Sequence, residues 1–254
     1  MRKEIISYLA FTPFLIAALR QNKKINNHII LSLFIYSIAV FSHEANIFFF
    51  PFFIVAIYII RQKIDKFFIL SAIFYLLISI LGFIYAINNS SVENYMLVCQ
   101  PLLDHGLNKN ICDGAISSLT INSNNALIQT KKLLFSKASI SFLKDYIISL
   151  LFFTYILKKY FTIQTILIFC FLSSLCFLPL YIVATDWGRW INFYVVSLTS
   201  LLLIHFLYNK DIYEYKKFSK YDFLALLLFC CLFSMPHWLP SNIDSIIFFH
   251  GYIH

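Results

Sequence analysis

The 254-residue chain is strongly apolar and basic: hydrophobic residues make up 60% of it, charged residues only 13%, and the formal net charge is +8. A soluble globular protein of this length needs a larger polar surface. A nucleic-acid-binding protein gathers its basic residues on one water-exposed patch, whereas these residues form short clusters between apolar runs. The composition therefore excludes both classes and predicts an all-α, polytopic integral membrane protein.

Eight apolar runs follow one another along the chain, and we interpret each as a transmembrane helix. They cover residues 4–19, 26–42, 44–61, 67–87, 144–157, 162–184, 191–207 and 222–239. No internal repeat or low-complexity linker divides them, so residues 1–254 are expected to form a single integral membrane domain. The first run is short and has no cleavage site after it, which is compatible with a chain truncated at its N-terminus.

Basic residues predict which loops share a side of the membrane. Four clusters, "RQNKK", "RQKIDK", "KKY" and "NKDIYEYKKFSK", hold 12 of the 20 Lys and Arg residues and occur in alternate loops. Because cytoplasmic loops carry an excess of Lys and Arg, we expect these four loops to be cytoplasmic. The remaining loops, and the three Trp residues near their span ends, are then extracytoplasmic.

The stretch "FSHEANIFFFPFF", residues 41–53, places His43 and Glu44 within an apolar region. From residue 28 to residue 60 there are 33 residues without Lys or Arg. One helix of that length would measure about 50 Å against a hydrocarbon core of about 30 Å, so two spans joined by a turn fit better. The alternative is a single tilted helix, which would invert every later loop.

Both residues of this pair have a chemical and a structural interpretation. A carboxylate beside lipid has its ionised form disfavoured, which suits Glu44 to abstract a proton from a sugar hydroxyl. Alternatively, Glu44 begins a helix after Ser42. His43 is either a catalytic residue or a hydrogen-bonded helix end. Because ionisable residues at membrane depth are functional candidates by default, we interpret both as candidate catalytic residues.

A second stretch, "ATDWGRWINFY" at residues 184–194, lies at the junction of the sixth and seventh spans. Asp186 and Arg189 are three residues apart, close enough to pair on a helical turn. They could form an interfacial anchor, but a guanidinium also offers a fixed fork of donors that suits a lipid diphosphate. Arg189 is therefore the candidate diphosphate-binding residue, and Asp186 is a candidate base.

The only long polar segment, residues 88–143, separates the fourth and fifth spans and is expected to be an extracytoplasmic lid with short helices. Within it, Cys99 and Cys112 could close a disulfide loop around Asp104 and His105, or remain two structural thiols. A metal site of Asp104, His105 and Asp113 is conceivable, but no ligand spacing matches a known signature, and we predict no metal and no cofactor.

Together, the "HE" pair at a turn, the cysteine-containing loop ending in "ICDGAISSL" and the later "DWGRW" resemble bacterial polysaccharide polymerases of the Wzy type, which assemble O-antigen or capsule. This resemblance implies transfer of a glycan from undecaprenyl diphosphate to another lipid-linked repeat, at the outer face of the inner membrane. It implies that Arg189 holds the diphosphate and that Glu44 or Asp186 is the base.

The implied partners are the lipid-linked glycan, membrane lipid, and a chain-length regulator or other polysaccharide-assembly protein. Nucleic acid is not expected, and no Walker, Rossmann or G-x-S-x-G motif supports nucleotide or hydrolase chemistry. Two alternatives stay open. A glycan-lipid flippase would need ionisable residues near mid-membrane and an internal repeat. A non-catalytic membrane subunit would use the same two motifs only as interfacial anchors.

Overall fold

The computed structural model describes residues 5–20, 24–89, 94–108, 112, 123–134, 136–183, 187–209 and 219–233, and every regular element in these ranges is a helix. A six-residue 3-10 helix, Glu44–Phe49, joins the second and third α-helices. The α-helices are α1 Ile5–Arg20, α2 Ile25–Ser42, α3 Phe50–Arg61, α4 Lys66–Asn88, α5 Met96–Asp104, α6 Ser123–Leu134, α7 Lys137–Leu157, α8 Ile163–Val183, α9 Trp187–Tyr208 and α10 Lys220–Leu232.

The predicted all-α class is confirmed for the described residues. Each of the eight apolar runs coincides with a helix, namely α1, α2, α3 with the 3-10 helix, α4, α7, α8, α9 and α10. Within the described residues, four stretches are long and apolar enough to cross a bilayer: Ile25–Ser42, Lys66–Ala86, Ile163–Ile182 and Trp187–Tyr208. The count of eight spans stays a prediction, because α1 has 16 residues and α10 has 13, whereas a span needs about 20.

The chain reverses direction between α2 and α3, as a two-span hairpin requires. His43 has an extended backbone, with φ −158° and ψ 121°, which ends α2. The guanidinium of Arg61, at the end of α3, donates to the side chain of Asn26, at the start of α2. Because these residues lie at the far ends of the two helices, their contact excludes a single continuous helix through residues 28–60.

Aromatic rings form the centre of the bundle around Phe53 on α3. Its ring centroid lies 4.4 Å from that of Phe11, 4.7 Å from that of Tyr36 and 5.3 Å from that of Tyr75. These four residues come from α3, α1, α2 and α4 and are fully or almost fully buried. Ring packing therefore joins the first four apolar helices into one core.

Buried hydrogen bonds reinforce that core. Ser32 on α2 donates to the carbonyl of Ala10 on α1 at 2.7 Å, and the Tyr75 hydroxyl on α4 donates to Ser32 at 2.8 Å. The hydroxyls of Tyr36 and Ser79 are 2.6 Å apart. Because each tyrosine hydroxyl has a polar partner, the core tolerates these groups without the cost of an unsatisfied buried donor.

The central helix is α9, which packs against α1, α3, α7 and α8. Tyr8 on α1 contacts Phe193 with ring centroids 4.8 Å apart. The Tyr194 hydroxyl hydrogen-bonds Ser173 on α8 at 2.8 Å. Half of the apolar stretch of α9 is buried, so this helix organises both halves of the chain.

One end of the bundle, which we call the basic end, collects the described parts of all four basic loops. Gln62 after α3 donates to Asn209 after α9 at 2.8 Å. The ring of Tyr160 after α7 lies 4.6 Å from that of Phe206 on α9. Lys159 pairs with Asp222 on α10. The helices carry the chain from this end to the opposite end and back.

Asp65 shows how the basic end is ordered. Its Oδ1 accepts the backbone N–H of Phe68 at 2.9 Å and caps α4, while its Oδ2 pairs with Arg61. The hydrogen bond from Arg61, followed by that from Phe68, lowers the pKa of Asp65 to about 2. The carboxylate is therefore ionised at neutral pH, and its stabilising contribution is lost progressively as the pH falls from about 3.8, the ordinary pKa of this group, to about 2.

The segment predicted as a lid contains two described helices, α5 and α6, and α6 packs against α7 and α8. Cys99 in α5 and Cys112 are both buried and form a disulfide, with their Cα atoms 5.7 Å apart. This decides between the two interpretations of these cysteines. The helix α7 begins at Lys137, seven residues before the apolar run that was predicted as the fifth span, and so it includes the last residues of the polar segment.

Candidate functional site

The predicted residue His43 lies in the turn between α2 and the 3-10 helix. Its Nδ1 accepts the backbone N–H of Ala45 at 3.2 Å, and its carbonyl accepts the N–H of Asn46 at 3.0 Å. Because Nδ1 is an acceptor, the neutral ring carries its proton on Nε2. This arrangement matches the hydrogen-bonded helix end that was one of the two interpretations of His43.

The other two predicted catalytic residues are described less fully. Glu44 begins the 3-10 helix, directly at the turn, and only its backbone is described. Asp186 lies outside the described residues, immediately before α9. Their roles as bases therefore stay predictions.

Arg189 and His43 meet at the same indole ring. Arg189 is on the first turn of α9 and is half-buried, and its Cζ lies 5.9 Å from the ring centroid of Trp190. The His43 ring approaches Trp190 edge to face, with centroids 5.8 Å apart and an interplanar angle of 89°. Two candidate site residues separated by 146 positions thus flank one side chain, at the end of the bundle opposite the basic end.

This opposite end, which we call the aromatic end, also carries a row of packed rings. Trp187, one helical turn before Trp190, lies 5.9 Å from Tyr181 on α8 and 6.0 Å from Phe142 on α7, measured between ring centroids. Tyr181 in turn lies 6.5 Å from Tyr146 on α7. The starts of α7 and α9 and the end of α8 therefore converge here.

Several neutral side chains at the aromatic end have a buried polar atom without a hydrogen-bond partner in the described part of the chain, among them Asn46 Oδ1, the Tyr181 hydroxyl, and the Nε1 atoms of Trp187 and Trp190. Each such group costs about 1–3 kcal/mol when it is left unsatisfied. Most of the other buried hydroxyls of the core are paired, so the concentration of unsatisfied atoms at this end needs an explanation.

The chemistry of these groups suits an anionic, sugar-bearing ligand. Two indole N–H groups and a phenol hydroxyl are donors, and the first turn of α9 adds backbone N–H groups without intrahelical partners. Together with the Arg189 guanidinium, these donors match the oxygens of a phosphate. The flat faces of the aromatic rings provide apolar surface beside polar atoms, as sugar rings require.

Asp145 is a residue of this end that the sequence analysis did not single out. Its side chain is fully buried on α7, one turn after Phe142, which contacts Trp187. The Nζ of Lys144 lies 3.6 Å from its Oδ1. A charged residue inside an apolar helix is a signal that sequence reasoning can use, and Lys144 and Asp145 are the first two residues of the predicted fifth span.

The remaining predicted residues belong to the segment around α5. Asp104 accepts a hydrogen bond from Gln100 at 2.8 Å, and His105 Nδ1 lies 2.8 Å from the carbonyl of Pro101. Both are exposed, and no described contact brings them to Trp190. Asp113 lies outside the described residues, and the described residues include no group of three His, Cys, Asp or Glu side chains placed to hold a metal ion.

Comparisons of the chain with protein-family models, with curated proteins and with solved structures gave no match. The functional interpretation therefore depends on the geometry of the aromatic end.

Proposed function

We propose that the chain is a membrane glycosyltransferase that joins undecaprenyl-diphosphate-linked glycan repeats at the outer face of a bacterial inner membrane. The observation that carries this proposal is the convergence of His43 and Arg189 on Trp190, beside buried donors of Trp187, Trp190 and Tyr181 that have no partner among the described residues. A polar, cationic and aromatic site at a membrane surface fits a substrate whose lipid chain stays in the bilayer while its glycan reaches water.

In the proposed reaction, the hydroxyl oxygen of the acceptor sugar attacks the anomeric carbon of the donor, and the bond from that carbon to the diphosphate oxygen breaks. The hydroxyl proton passes to a carboxylate, for which Glu44 and Asp186 are the candidates. Negative charge that develops on the leaving diphosphate is stabilised by Arg189 and by the N–H donors around it. No nucleotide is required, because the substrate carries its own leaving group.

The experiment tests whether the bidentate geometry of the Arg189 guanidinium is required for polymerisation. In a deletion strain complemented with each variant, we expect Arg189→Lys to shorten the surface-polysaccharide ladder nearly as much as Arg189→Ala, because an ammonium cannot replace a bidentate guanidinium. Glu44→Gln is expected to have a comparable effect, because it removes a base while preserving size. Membrane abundance is measured for every variant.

The matched control is Arg20→Lys, the same change on an exposed residue at the basic end. It should leave ladder length unchanged. Full-length ladders from both Arg189→Lys and Glu44→Gln would contradict the catalytic role and favour a non-catalytic subunit, in which a lysine at the interface can snorkel to the headgroups.

A further inference from the structure

An apolar groove runs along the outside of the bundle between α3, α8 and α9. It consists of two adjoining sections that share Val55, Phe169 and Leu201. One section reaches the basic end, where Thr165 and His205 contribute polar atoms. The other extends toward Pro51 and Cys176 in the opposite half of the bundle. The groove therefore runs parallel to the helix axes. Its polar atoms lie chiefly at the opening next to the basic end, which we call the mouth.

The length of the groove matches one leaflet of a membrane. Thr165 and Cys176 mark its two extremes on α8 and are 11 residues apart, which corresponds to about 16 Å at the α-helical rise. Half of a bilayer core of about 30 Å is about 15 Å. An acyl chain that enters at the basic end would therefore fill the groove and end near the middle of the membrane, whereas a polyisoprenoid chain is far longer.

The charge around the mouth indicates the headgroup. Leu157 and Ile59 line the mouth, and the next residue after Leu157 is Lys158. Lys158 is exposed, with its Nζ 4.9 Å from the ring centroid of Tyr155. The described residues of the basic end contain eight Lys and Arg against two Asp, and both Asp carboxylates already pair with cations of that end. The net positive surface favours an anionic headgroup.

We propose that this groove binds one acyl chain of an anionic glycerophospholipid, with its phosphate among the cations of the basic end and the hydroxyl of Thr165 within the mouth. The inference stands on the groove and the charges alone and does not depend on the proposed glycosyltransferase function. The acyl chain would fill the space between α8 and the packed helices α3 and α9. The lipid would therefore act as a structural ligand rather than as a substrate.

The test is native mass spectrometry of the full chain in detergent, with phosphatidylglycerol and phosphatidylcholine of identical acyl chains. We expect one phosphatidylglycerol molecule to be retained preferentially. Lys158→Glu should weaken its retention about fivefold or more, because it replaces the cation that follows the mouth residue Leu157 in the chain with an anion. Val55→Trp, in the part of the groove shared by both sections, should abolish retention of either lipid.

Two control variants make the same kinds of substitution at positions outside the groove. Lys24→Glu changes a cation of the basic end on the α1–α2 turn, and Ile73→Trp adds an indole to an exposed position of α4; both should retain phosphatidylglycerol. Thr165→Trp, at an exposed position of the mouth, replaces Val55→Trp if that variant does not accumulate. Equal retention of the two lipids, undiminished retention in the groove-filling variant, or co-purification of a polyisoprenoid instead would overturn the proposal.

Discussion

At the scale of single residues, Trp190 has a larger role than an interfacial ring. Its indole contacts His43 by an edge-to-face approach and lies under the Arg189 guanidinium, yet its own N–H group has no hydrogen-bond partner in the part of the chain that the structure describes. A buried donor without a partner lowers stability, so its retention is explained best by a task such as ligand binding. Tyr181 presents the same combination of packed ring and unsatisfied hydroxyl.

Tyr181→Phe separates stability from function. The substitution removes only the unpartnered hydroxyl, so we expect the free energy of unfolding to stay equal or rise by about 1 kcal/mol. If that hydroxyl binds substrate, the polysaccharide ladder should nevertheless shorten. Thermal unfolding of the purified protein and ladder length in the complemented strain are the two measurements.

Tyr75→Phe is the matched control, because the Tyr75 hydroxyl donates to Ser32 in the core. Losing that bond should lower the free energy of unfolding by about 1 kcal/mol while leaving the aromatic end intact. If Tyr181→Phe destabilises the protein as Tyr75→Phe does, the hydroxyl has a structural partner and the interpretation of the aromatic end as a ligand site loses one of its donors.

The sequence predicted part of this site. His43 and Arg189 were expected to lie on the same side of the membrane, because the alternation of basic loops assigns both of their turns to the extracytoplasmic side. The structure places both residues at the aromatic end. Their common contact with Trp190 depends on how α9 packs, which a loop count does not reveal. Asn46 and Tyr181 could not be identified as site residues from the sequence, because a single amide or phenol in an apolar run is ordinary in membrane helices.

At the scale of elements, the close approach of α2 and α4 depends on Gly82. A β-carbon built at Gly82 would overlap the Cγ1 of Val40. Val40 itself is buried, so its side chain has little room to move. The absence of a side chain at Gly82 therefore lets the two helices pack at the level of Phe41 and Tyr85, whose rings are 5.9 Å apart.

Gly82→Ala is expected to destabilise the protein by about 1–3 kcal/mol, because the added methyl group overpacks the α2–α4 contact. Val40→Ala should recover part of this loss in the double variant, since it removes the overlapping Cγ1 atom. Thermal unfolding of the two single variants and the double variant gives the coupling energy. Additive effects would show that the helices do not meet at this pair.

The positions of the helices were predictable because charged or polar residues bound each apolar run. The helix α3 ends where "RQK" begins, and α4 starts after the capping Asp65. Span number was harder to predict, because length decides it and α1 and α10 are short. The helix α7 extends before the apolar run at residue 144, because hydropathy does not include the polar first turns of a helix.

At the scale of the whole molecule, the charge distribution predicts its orientation. The described portions of the four basic loops all lie at the basic end, which is expected to face the cytoplasm. In a cysteine-free background, a membrane-impermeant maleimide should label His105→Cys from outside intact cells but not Lys63→Cys. Both positions are exposed. If neither site is labelled, reagent access is poor, and labelling is then repeated after permeabilisation of the cells. Labelling of Lys63→Cys alone would invert the topology and contradict the outer location of Arg189.

The central position of α9 has a consequence for biogenesis. The helices α1, α2, α3 and α4 leave the ribosome before α9, and the rings and hydrogen bonds between them involve no described residue after Tyr85. The surfaces of α1 and α3 that Phe193 and Tyr194 cover must then face lipid or an insertion factor while more than 100 further residues are made. The contacts of this early core are therefore completed only when α9 arrives, which makes the preceding interval the period when the nascent protein is most exposed to quality-control proteolysis.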